Sequence, residues 1–334
     1  MSTQALRRGA APSGRRAAKL RACVRLAKLD IFDYYLGVLV VWSLLAPAAR
    51  LDGTSLATLG LFLAGEICVI AALVALDDRT GYLDGSDITN YSPNDPTRRI
   101  VRKPLVAGTL TVPEVTRFAW ITALAGAALW TAAVLLAPHR PLWALVVTAV
   151  TFVGSLNYSW GLKLSYHGMH ELFVAALGWA LVLAPYGLLT GELTGFVLVQ
   201  ALLFGLGPLM FGVYSNTNDI AGDRSIGRPT VAVLTSPRGN AIFIGVLSAA
   251  EIALILGSAA TGVAPWWFPV AMAPTIAARI WQYHIGFGWG IRPKGIISGD
   301  IMRARRLGIR IHRVTVALLV GVNLLMPLLE GGLS

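Results

Sequence analysis

Residues 56–87 read LATLGLFLAGEICVIAALVALDDRTGYLDGSD. The stretch 56–76 is apolar apart from Glu66 and is long enough to cross the roughly 20-residue hydrocarbon span of a bilayer as a helix. It ends abruptly in Asp77, Asp78, Asp84 and Asp87. Working outward, further apolar runs occupy 34–50, 114–137, 141–161, 171–190, 194–215, 240–260, 265–288 and 312–329. The pattern predicts an all-α, polytopic membrane bundle of about nine transmembrane helices. Pro274 and Arg279 interrupt the eighth run.

Composition supports this reading. The 334 residues are 55% hydrophobic and only 13% charged, and mean hydropathy is +0.65. A soluble domain carries about 25% charged residues, so a soluble globular enzyme and a disordered chain are both excluded. Lys and Arg number 28 against 17 Asp and Glu, a net charge of +11. The bases concentrate in 1–28, 77–112, 216–239 and 289–313, alternating with nearly uncharged connections. The positive-inside rule accounts for that alternation without nucleic acid as a partner. It places the N-terminus and the basic loops in the cytoplasm and the C-terminus outside. Residues 1–28 read as a flexible basic tail resting on anionic membrane lipid, and 29–334 as one transmembrane domain. The first apolar run starts too late for a cleavable signal. Cys23 and Cys68 form no disulfide framework.

The acids carry the functional signal. Besides the first cluster, Asp219 and Asp223 stand at the end of the sixth run. Four residues apart on a helix, they share a face, as do Asp77 and Asp84 seven apart. Carboxylates so placed repel unless a cation lies between them, and Mg²⁺ binds one or two carboxylates together with phosphate oxygens. Two such clusters at equivalent helix ends fit metal ions gripping a diphosphate. Arg102 and Lys103 follow the first cluster, Lys163 follows Tyr158 after the fourth run, and Arg228 follows the second cluster. These supply positive donors for the same anion, although each also serves as a positive-inside anchor. His167 and His170 lie near Lys163 and are candidate proton acceptors or plain interfacial side chains. Glu66 and Glu251 are intramembrane acids; Glu66 binds an acceptor hydroxyl or bonds within the bundle, and Glu251 shows no partner in the sequence.

These residues resemble the UbiA superfamily of intramembrane prenyltransferases over most of the chain. The family pattern after the second span is NDxxDxxxD, followed by a stretch matched here by Lys103-Pro104-Leu105-Val106-Ala107-Gly108. Asp219 and Asp223, then Gly227-Arg228-Pro229-Thr230-Val231-Ala232-Val233, are most similar to the dihydroxynaphthoate polyprenyltransferase (MenA-like) branch. So are Tyr158-Ser159 with Lys163. The first motif departs from the pattern. Asp77 stands for the family Asn, and Gly81 for an Asp that Asp84 is expected to replace.

The resemblance implies Mg²⁺-dependent ionisation of an isoprenyl diphosphate and transfer of the prenyl group to an aromatic or quinone-precursor acceptor. Asp77, Asp78, Asp84, Asp87, Asp219 and Asp223 would be catalytic, and all of these but Asp78 would be metal-binding. Lys103, Lys163, Arg228, Tyr158 and Arg102 would hold the diphosphate. A terpene cyclase using the same clusters without an external acceptor is the alternative, and a transporter of an anionic solute a more distant one. The enzyme is expected in a bacterial cell membrane with its site facing the cytoplasm.

Overall fold

The computed structural model describes residues 12–29, 32–91, 100–288 and 298–331. Among these residues the chain is helical throughout, without strands. The helices that build the bundle and its cavity are α1 (Pro12–Leu26), α2 (Gly37–Leu44), α3 (Gly53–Leu83), α4 (Ser86–Asn90), α5 (Val112–Leu136), α6 (Leu142–Asn157), α7 (His170–Thr190), α8 (Gly195–Ser225), α9 (Pro237–Ala260), α10 (Ala273–Phe287) and α11 (Ser298–Gly331); three single-turn helices, Pro47–Arg50, Val231–Leu234 and Phe268–Ala271, lie in connections.

Each apolar run of the sequence falls on one of these helices, but not all are full-length spans. Among the described residues six segments are long and apolar enough to cross a membrane: Gly53–Leu83, Val112–Leu136, His170–Thr190, Gly195–Ser225, Pro237–Ala260 and Asp300–Leu329. The remaining runs give the shorter α2, α6 and α10. Pro274 does not interrupt its helix; it sits in the first turn of α10, where a missing N–H costs nothing. The described part of the basic segment 1–28 includes α1, whose Ala22 and Leu26 are buried against Ala75, Leu76, Val115 and Ala119.

Local chemistry sets the helix starts. The Asp52 carboxylate accepts the Ser55 N–H at 2.8 Å and caps α3. Thr111 and Glu114 form a capping box at α5. Thr194 and Ser236 cap α8 and α9.

Packing relies on small residues, since lipid offers no hydrophobic force between helices. A β-carbon on Gly178 of α7 would lie 2.5 Å from the Gly205 α-carbon of α8, so these two helices meet backbone to backbone. A β-carbon on Gly126 of α5 would lie 2.8 Å from a Val69 side-chain carbon of α3.

Two buried acids of the bundle, Glu251 and Asp33, are paired with arginines. Arg279 of α10 donates from Nη2 to Glu251 Oε1 of α9 at 3.0 Å, and each side chain is 1% exposed. Gln282 accepts from Arg279 Nη1 at 2.5 Å and donates to the Ala304 carbonyl of α11 at 2.9 Å. Glu251 thus has the partner that the sequence left unseen. Glu66 is equally buried, and its Oε1 has no hydrogen-bond partner. Arg313 of α11 holds buried Asp33, Nη2 to Oδ2 at 3.0 Å, and so ties α11 to the turn before α2.

Candidate active site

One cavity opens where the C-terminal ends of α3 and α8 face each other. Its polar end is lined by Asp77, Asp78, Asp87, Asp219 and Asp223, with Arg102, Lys103 and Arg228 among them. Its deeper wall is apolar, with Ile70, Leu73 and Val74 of α3, Leu177 of α7, and Pro208 and Phe211 of α8. Aromatic rings complete it. Tyr34 meets Phe211 edge-on at 5.8 Å, and the Tyr158 and Phe173 ring centroids lie 4.9 Å apart.

The charges interlock. Lys103 Nζ lies 2.7 Å from Asp87 Oδ2, 3.6 Å from Asp78 Oδ1 and 4.0 Å from Asp77 Oδ2. Arg228 reaches Asp77 Oδ1 at 3.0 Å, Asp223 Oδ1 at 3.9 Å and Ser165 Oγ at 3.1 Å. One guanidinium therefore joins both acidic clusters. Burial disfavours the Lys103 charge, but Asp87, Asp77 and Asp78 hold its ammonium well above the usual range. Burial pushes the Asp87 carboxyl up to about 6, against the pull of Lys103. Burial would also disfavour the Arg228 charge, yet Asp77 and its neighbours raise it further.

Of the residues expected from sequence, Asp84 and Lys163 lie outside this cavity. They line a neighbouring groove with Arg79 and Trp160. The helix α3 ends at Leu83, and Asp84 caps it. Gly85, at φ 84°, then turns the chain into α4. The seven-residue spacing of Asp77 and Asp84 consequently does not place them on one continuous helical face. The Asp84 carboxylate accepts the Ser86 N–H at 3.0 Å and the Tyr166 hydroxyl. The Tyr166 ring is shared between Arg228, at 4.8 Å, and Lys163, at 5.4 Å, and so connects groove and cavity.

The sequence reading assigned Arg25 and Lys28 to a lipid anchor and left Arg305 among the bases of a cytoplasmic segment, yet all three line the cavity. Burial, with Lys103 and Arg102 nearby, lowers Lys28 to about 8. His170 lines the cavity and bonds Tyr158, whereas His167 is not part of the wall.

Among the described residues no three His, Cys, Asp or Glu side chains converge as a ready-made metal cage. The donor chemistry nevertheless suits Mg²⁺, which takes few carboxylates and completes its shell with phosphate and water oxygens. Asp78 Oδ2 is a buried carboxylate oxygen with no hydrogen-bond partner, a coordination position that the protein leaves unused.

Residues 36–288 match the UbiA prenyltransferase family. The chain belongs to that family. Two curated relatives, digeranylgeranylglyceryl phosphate synthases from two strains of Halobacterium salinarum, are 28% identical over 157 residues, 46% of this chain and 54% of theirs. The chain thus spans about half the length of the curated relatives it matches. A UbiA homolog from Archaeoglobus fulgidus solved with GPP and Mg²⁺ aligns with TM-score 0.62 and 16% identity, covering 90% of this chain and 99% of that one. Another from Aeropyrum pernix K1 aligns at TM-score 0.60 and 20% identity, covering 86% and 96%. At these identities the likeness of this UbiA-family chain to solved structures is one of fold.

Proposed function

We propose that this protein is a Mg²⁺-dependent intramembrane prenyltransferase that ionises an isoprenyl diphosphate and passes the prenyl group to an anionic acceptor. The observation that carries the reading is the cavity itself. Two acidic clusters and their cations close one end of an apolar, aromatic-walled space. The solved A. fulgidus homologs with DMAPP or GPP and Mg²⁺ support the same substrate class.

Asp77, Asp78 and Asp87 on one wall and Asp219 and Asp223 on the other would hold the metal. When bound, Mg²⁺ neutralises the charge of the departing pyrophosphate. Lys103 and Arg228 donate to the same anion, and Arg102 stands beside them. Tyr166 keeps Arg228 oriented through its ring face, which gives Asp84 and Lys163 an indirect role. Ile70, Leu73, Val74 and Leu177 exclude water from the allylic cation. Tyr34, Tyr158 and Phe211 offer π faces to it.

Arg25, Lys28 and Arg305 exceed what a diphosphate requires and supply a seat for an acidic acceptor. An aromatic hydroxy-acid, or quinone precursor, is the first reading. The Gly227–Val233 run, similar to the dihydroxynaphthoate branch, supports it. A glyceryl phosphate lipid is the second, favoured by the name of the H. salinarum relatives. The positive-inside rule, applied to the basic loops and α1, supports a site facing the cytoplasm in a bacterial cell membrane, and residues 29–334 are read as one domain.

The deciding experiment incubates purified protein, Mg²⁺ and geranyl to geranylgeranyl diphosphates with no acceptor, with dihydroxynaphthoate, or with a monoprenylglyceryl phosphate. Pyrophosphate release that depends on one acceptor identifies the transferase. Hydrocarbon formed without acceptor would instead mean a terpene cyclase, and inert diphosphate throughout would remove the reading.

A further inference from the structure

The transfer reaction releases a proton, and the acidic clusters with their cations are poorly suited to receive it. When the allylic C–O bond breaks, its electron pair leaves with pyrophosphate. The acceptor's carbon or hydroxyl oxygen then forms the new bond to the prenyl carbon, and the hydrogen on that atom must depart as H⁺. The cavity carboxylates face Lys103 and Arg228, and under the proposed function they also hold metal. A base within reach of the cavity and uncharged beforehand would take the proton without competing with metal or cations.

His170 meets these requirements. It begins α7 and lines the cavity, and its Nδ1 lies in hydrogen-bond contact with the Tyr158 hydroxyl. With Nδ1 taken up by Tyr158, Nε2 is the ring nitrogen left to the cavity that His170 lines. The Tyr158 ring is itself fixed by Phe173. The charged groups acting on the imidazole are Glu171 on its own helix, Arg228 from the loop after α8, Asp77 of α3 and Asp219 of α8. Glu171 is engaged away from the imidazole. Its Oε1 is occupied by Asn216 Nδ2 at 3.0 Å and by the Val231 N–H at 3.1 Å.

We propose that His170 is the proton acceptor of the transfer step, with Nδ1–H donating to the Tyr158 oxygen and the Nε2 lone pair directed at the acceptor. This rests on the prenyl-transfer reading and adds to it the base that completes the reaction. Tyr158 thereby acts on the imidazole tautomer, in addition to any contact with diphosphate.

The test separates ionisation from transfer. Geranylgeranyl diphosphate carrying ¹⁸O at the bridging oxygen is incubated with Mg²⁺ and full-length protein. Scrambling of the label into non-bridging positions is measured without acceptor. Product is measured with dihydroxynaphthoate and, separately, with a monoprenylglyceryl phosphate. In His170→Gln and His170→Asn, scrambling persists while transfer falls on the order of 10²-fold, the usual worth of a general base. Two variants of different shape guard against one that fails to fold, and the melting temperature of each is checked. Transfer at the wild-type rate in either folded variant overturns the proposal. So does joint loss of scrambling and transfer in a folded variant, which would mean a binding role. A wild-type protein that neither scrambles nor transfers overturns the prenyl-transfer reading itself.

Discussion

Gly81 and Asp87 compete for one place: a β-carbon on Gly81 would lie 2.7 Å from Asp87 Oδ2. Asp87, rather than Asp84, therefore brings a carboxylate to the spot where the family pattern has an aspartate. Gly81→Ala should displace Asp87 and its contact with Lys103, lowering pyrophosphate release by about 10-fold, a fraction of the 10²–10³ that a whole electrostatic contact contributes. The exchange variant Gly81→Asp with Asp87→Gly should recover part of the loss. Mn²⁺ binding followed by EPR reads the carboxylate set directly. An Ala variant with unchanged Mn²⁺ affinity and turnover would refute this account.

The two kinds of aspartate should separate cleanly. Asp223→Asn removes a buried cavity carboxylate and should cost about 10²–10³ in turnover. Asp84→Asn loses a helix-end contact and the Tyr166 bond, and should cost less than about 10-fold, since it perturbs Arg228 only through Tyr166. Equal losses in the two variants would return Asp84 to the cavity.

Lys28 gives the site a pH dependence of definite sign. With its ammonium lowered to about 8, it is charged below that pH and neutral above it. Attraction for an anionic acceptor is thus present at pH 7 and fades through pH 8, so the acceptor's KM should rise between pH 7 and 9. Lys28→Arg keeps its charge and should flatten the profile. A flat wild-type KM would exclude Lys28 from acceptor binding.

The buried pair of Arg279 and Glu251 supports the fold and is remote from the cavity lining. Arg279→Met leaves a lone buried carboxylate and should destabilise the bundle by about 3–5 kcal/mol, whereas adding Glu251→Met should restore most of it. Thermal unfolding in detergent distinguishes the two. A double variant no more stable than the single one would contradict this.

Which parts were legible in sequence follows from what each inference required. Asp77 with Asp78 and Asp219 with Asp223 needed only their position at the end of an apolar run, and they meet in one cavity. Asp84 failed because a spacing argument was carried past Leu83, where the helix stops. Arg25, Lys28 and Arg305 were hidden because the positive-inside rule explained every base equally well. The rule fixes the side of the bilayer and says nothing of which bases turn inward. Glu251 found its partner 28 residues on, within a stretch whose Pro274 and Arg279 disguised a short helix.

The backbone contact between Gly178 and Gly205 has a mechanical consequence. The helices α7 and α8 both wall the cavity, and they already touch main chain to main chain. That side cannot flex outward without losing its close packing, nor inward at all. Any give in the cavity must therefore come from the elements outside that contact, among them the turn that carries Tyr34 and the loop that carries Lys103.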